Sequence, residues 1–107
     1  MVKGYRLQGE ALAALGQPEE AVAPLTRAVD MAERLGNPPL LWKSRSALGN
    51  VWRQLGRPSL AQEQFRWAAE LIVQTAGDLD DQHLRETFLA ADPVRAILTA
   101  SGQLEKQ

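Results

Sequence analysis

A chain of 107 residues is one domain's worth, too short to hold separate catalytic and regulatory domains. Apolar residues make up 45% and charged residues 23%, an ordinary folding composition, and 12 Lys plus Arg against 13 Asp plus Glu lack the basic excess that neutralises nucleic-acid phosphates. With no cysteine and a single histidine, His83, disulfides, thiolate catalysis, cysteine-ligated zinc and multi-histidine metal sites are excluded.

From the N-terminus, apolar spacing predicts a helix over 3–15 and a second over 18–35, joined by Leu15-Gly16-Gln17-Pro18. Glycine just past a helix end takes the left-handed cap conformation, and proline in the next first turn loses no needed hydrogen bond. Ala21, Leu25, Ala28, Ala32 and Leu35 give the second helix an apolar stripe. Pro24 falls inside that stripe and removes one backbone hydrogen bond, which predicts a kink rather than a break. Gly36-Asn37-Pro38-Pro39 reads as a linker. Helices over 40–55 and 58–75 follow, joined by Leu55-Gly56-Arg57-Pro58, and Ala61, Phe65, Ala68 and Ile72 form the next stripe.

Asp78-Leu79-Asp80-Asp81 supplies capping carboxylates for a helix over 82–91, with Leu84, Phe88 and Leu89 as its apolar residues. Asp92-Pro93 starts a short last helix over 94–100 by the same logic, and the polar Gln103–Gln107 tail is expected to fray.

The chain repeats itself. A shift of 40 positions lays Gly9 on Gly49, Leu15 on Leu55, Gly16 on Gly56, Pro18 on Pro58, Ala21 on Ala61 and Ala28 on Ala68, with Leu25 over Phe65 and Leu12 over Trp52. The shared residues are small where helices touch and turn-forming where helices end. The expectation is an all-α fold in one domain over 1–107: a first hairpin at about 2–36, a second at about 40–76, and a C-terminal helical cap at about 80–101.

Each unit resembles a tetratricopeptide repeat, with Gly9 and Gly49 at the small position, Leu12 and Trp52 at the large one, and the triplets Ala21, Leu25, Ala28 and Ala61, Phe65, Ala68 in the second helices. The period of 40 is longer than the family's about 34. It is similar to the long-helix variant at the C-terminal ends of large bacterial signalling ATPases, transcriptional activators and nucleotide cyclases, as are Asn37-Pro38-Pro39-Leu40-Leu41-Trp42 and Leu84-Arg85-Glu86-Thr87-Phe88-Leu89. The sequence departs from the pattern at Arg45, where a tryptophan is usual, and at Gln8, where a leucine is.

The resemblance implies an α-α superhelix acting as a protein-protein interaction scaffold. Its first helices would line a concave face carrying Lys3, Arg6, Glu10, Lys43, Ser46, Asn50 and Arg53. Four of these seven are cationic, a set suited to an acidic peptide or a C-terminal carboxylate, with Asn50 at the position from which family members hold a ligand's backbone. The alternative is an ordinary solvated face on a structural end cap, or on a segment that self-associates through an uncovered N-terminal face.

On the fourth helix, Leu60, Trp67 and Leu71 form a second apolar face that the first unit lacks. The cap is expected to cover it through Leu84, Phe88 and Ile97; otherwise it is a partner face. No enzyme and no cofactor are expected: His83 is the only imidazole, no glycine-rich phosphate loop exists, and Asp78, Asp80 and Asp81 lack the glycine and distal glutamate of a calcium loop. No apolar run approaches the ~20 residues that span a bilayer. Met1-Val2-Lys3-Gly4 is no secretory signal, so a cytoplasmic setting with protein partners is expected.

Overall fold

The computed structural model describes residues 2–102. The expectation for the 103–107 tail lies outside the described residues. Six helices follow one another: α1 (Val2–Ala14), α2 (Pro18–Leu35), α3 (Pro38–Gln54), α4 (Pro58–Gly77), α5 (Gln82–Ala90) and α6 (Asp92–Ser101). The fold is all-α. α1 with α2 and α3 with α4 form two helical hairpins, α2 packs on α3, and α6 closes against α4.

The two hairpin turns match bond for bond. Gly16 and Gly56 stand at φ 81° and 74°, the left-handed region that an L side chain enters only with strain. In the first turn the Gln17 amide donates to the Leu12 carbonyl at 2.9 Å; in the second the Arg57 amide donates to the Trp52 carbonyl at 2.9 Å. Pro18 and Pro58 then open the next helices. Within each hairpin a glycine sets how closely the helices approach, with Gly9 against Leu25 and Gly49 against Phe65.

Three buried clusters run along the stack. Val2, Ala28 and Ala32 hold α1 to α2 with Tyr5 and Met31 against them. Ala21, Leu25, Val29, Ala47, Leu48 and Val51 join the hairpins. Trp42, Ala68, Ala69 and Ile72 meet Val94, Ile97 and Leu98 of α6, with Phe88 and Leu89 of α5 packed on the side. The Trp42 and Phe88 rings lie 5.6 Å apart at 55°, a tilted aromatic contact.

Three boundaries differ from the sequence reading by more than one residue. α3 begins at Pro38 rather than 40, because Asn37 caps it by accepting from the Leu40 amide at 3.2 Å, and two prolines in a first turn lack only hydrogens that would go unused. α4 runs on to Gly77. At α6 the cap position is Ala91, so Asp92 lies inside the first turn and makes no capping bond; its charge there still favours the helix dipole. Asp81 does cap α5, accepting from the Leu84 amide at 3.0 Å. α2 runs through Pro24 without interruption. Among the described residues no helix is long and apolar enough to cross a membrane.

Candidate functional site

The groove that α1 and α3 build together is walled by residues one helical turn apart, so that each turn contributes a side chain to the same side. Arg6 and Glu10 of α1 face Lys43, Ser46, Ala47 and Asn50 of α3 across a space of about 340 Å³. α6 forms the third wall with Pro93, Ala96 and Ile97, again at helical spacing.

Of the seven residues expected on this face, the structure brings together Arg6, Glu10, Lys43, Ser46 and Asn50. Lys3 is exposed on α1 and Arg53 is exposed on α3, and neither lines the groove. Arg53 is otherwise engaged: its guanidinium lies 5.0 Å from the Phe65 ring centre and donates to Asn50 Oδ1 at 2.7 Å. That bond leaves the Asn50 amide group pointing its two hydrogens elsewhere. Arg6 forms an ion pair with Glu10 at 3.3 Å, an exposed pair one turn apart worth at most about 0.5 kcal/mol. The Arg6 Nε is buried without a hydrogen-bond partner. Lys43 is exposed and enters no ion pair among the described residues. The groove thus holds two cations against one carboxylate, an unengaged amide donor, the Ser46 hydroxyl and an apolar wall.

Sequence reasoning missed α6 as part of this site. Its signal was present in Pro93, Ala96 and Ile97, spaced as Lys43, Ser46 and Ala47 are, but the segment was read only as a cover.

The second expected face is rearranged. α6 does cover α4, yet through Ala68, Ala69 and Ile72. Trp67 is not covered by the cap and keeps 38% of its surface exposed, and Leu84, expected over it, is 56% exposed. The side chain lying on Trp67 is Arg45, with its guanidinium carbon 4.7 Å from the ring centre. Leu60 remains exposed at 38%, while Leu71 is half-buried beside the α6 cluster. A guanidinium stacks on an indole without any apolar contact partner, so a search for apolar stripes alone passes over it. The sequence departure at Arg45 was the available sign.

His83 is exposed at the start of α5. Among the described residues no group of three or more His, Asp or Glu is placed to hold a metal ion. Compared with protein-family models, with curated proteins and with solved structures, the chain matches none.

Proposed function

We propose that this chain is a protein-interaction module of tetratricopeptide type that holds an extended acidic segment, or a free C-terminal carboxylate, of a partner protein. The observation that carries the reading is the groove in which Lys43, without an ion pair among the described residues, faces Arg6 beside the open amide of Asn50. A carboxylate entering there gains a charge-assisted hydrogen bond from Lys43 and competes with Glu10 for Arg6. The Asn50 amide donates to a peptide carbonyl, and Pro93, Ala96 and Ile97 offer apolar contact to an alternate side chain. The module serves as the C-terminal interaction end of a larger bacterial regulatory protein in this reading.

Calorimetric titration with a short acidic peptide bearing a free C-terminus tests it. Lys43→Glu is expected to weaken binding at least about tenfold, because attraction becomes repulsion at the same place. Asn50→Ala weakens it less. Equal affinity of the parent and Lys43→Glu, or preference for a basic peptide in this groove, sinks the proposal.

A second reading, that the segment self-associates, is favoured by α1, where Leu7 stands 51% exposed one turn from Gly4 and Ala11, both also exposed. Such a strip is flat enough for another helix to approach closely.

A further inference from the structure

A larger cleft, about 440 Å³, opens on a different side of α3, between α2 and α4. Leu41 and Leu71, both half-buried, form its apolar part; Glu33 comes from α2, and Trp67, Glu70 and Gln74 from α4. Arg45 closes one end. Its guanidinium lies on Trp67, donates to Glu33 Oε2 at 3.0 Å and donates to Gln64 Oε1 at 3.1 Å, and the side chain is only 12% exposed. An incoming anion would have to compete with Glu33 for it.

The carboxylates are in the opposite condition. Among the described residues Glu33 Oε1 is unengaged, and exposed Glu70 makes no hydrogen bond or ion pair. Arg66, one turn before Glu70 on α4, forms no ion pair with it. Two carboxylates against one engaged guanidinium give the cleft a net negative charge beside apolar walls. An anionic ligand would meet both carboxylates. An uncharged apolar ligand would strip water from Glu70 without replacing it, which costs free energy.

We propose that this cleft receives a lysine or arginine side chain from a basic segment of a partner protein. The aliphatic stem lies along Leu41, Leu71 and the open part of Trp67, and the cationic head reaches Glu70 and the free oxygen of Glu33. The site uses none of the residues of the groove between α1 and α3, so it stands or falls apart from the function proposed above.

The test is a calorimetric titration of the whole chain at low salt with a capped peptide of alternating arginine and alanine, beside a matched peptide with glutamate for arginine. The arginine peptide is expected to bind and to shift the Trp67 indole N–H signal in a nitrogen-correlated NMR spectrum, that signal being assigned with Trp67→Phe. Glu70→Gln, which breaks no internal contact, is expected to weaken binding about fivefold, the scale of one exposed charge contact. Asp80→Asn in the acidic loop is expected to leave it unchanged. The proposal is overturned by absence of binding, by preference for the glutamate peptide, or by a Trp67 signal that does not move. Asp80→Asn weakening binding as much as Glu70→Gln also overturns it, because the attraction would then be diffuse.

Discussion

Replacing Gly9 by alanine adds one methyl group where the two helices of the first hairpin come closest. A Cβ at Gly9 would stand 2.4 Å from Leu25 Cγ and 2.6 Å from Leu25 Cδ2. The nearer atom is the Leu25 branch carbon, which only a χ1 change could move, and Leu25 is fully buried with no room for that change, so α1 must move off α2. Overpacking costs about 1–3 kcal/mol, and a contact this short with a buried branch carbon belongs at about 2–3 kcal/mol. Alanine in a helix interior returns about 1 kcal/mol through propensity, leaving a net loss of about 1–2 kcal/mol. Gly77→Ala is the control: nothing lies within 4 Å of its Cβ position and its φ is not positive, so a gain of up to about 0.5 kcal/mol is expected. Urea denaturation followed by circular dichroism measures both. With an m-value of about 1–1.5 kcal/mol/M, the Gly9→Ala midpoint falls by roughly 1 M. If Gly9→Ala is as stable as the parent, as Gly77→Ala should be, glycine does not limit the approach of α1 to α2.

Trp67→Ala is expected to cost about 1–2 kcal/mol, below the about 3–5 kcal/mol of a fully buried aromatic, because 38% of its surface already meets solvent. A loss in the full range, by the same urea assay, would mean that Trp67 carries the α4 core. Light scattering over a concentration series is expected to show a rising mass for the parent that Leu7→Glu abolishes. A parent that stays monomeric throughout removes the self-association reading.

Much of the helix plan was legible because it rests on local chemistry. Gly16-Gln17-Pro18 and Gly56-Arg57-Pro58 announce their turns through a backbone that only glycine adopts freely and a ring that can begin a helix but not continue one. Gly9 and Gly49 were legible as points of helix contact because the repeat displays them twice. The Asn37-Pro38-Pro39 segment was misread since the same prolines that forbid a preceding helix also open the next, and only the cap bond from the Leu40 amide decides between them. The groove's membership was half legible. The resemblance to the repeat pattern placed Arg6, Lys43, Ser46 and Asn50 on one side, but whether a cation is free depends on side-chain partners that no pattern reveals, as Arg53 over Phe65 shows. Trp67 was misjudged for the same reason, its cover being a charged side chain from another helix rather than the apolar segment downstream.

Arg45 reaches from α3 to Glu33 on the first hairpin while resting on Trp67 and bonding Gln64 on the second. In mechanical terms it is a torsion spring across the joint. Twisting one hairpin relative to the other pulls the guanidinium from Glu33 or slides it off the indole, and each displacement raises the energy on one side only. Part of that restoring force is an ion pair whose Glu33 partner is half exposed, so counterions weaken it as the screening length shrinks from about 10 Å at 0.1 M salt to about 3 Å at 1 M. Salt therefore loosens this one tie between the hairpins, while the buried contacts of Leu25, Val29, Ala47, Leu48 and Val51 that also join them do not depend on it.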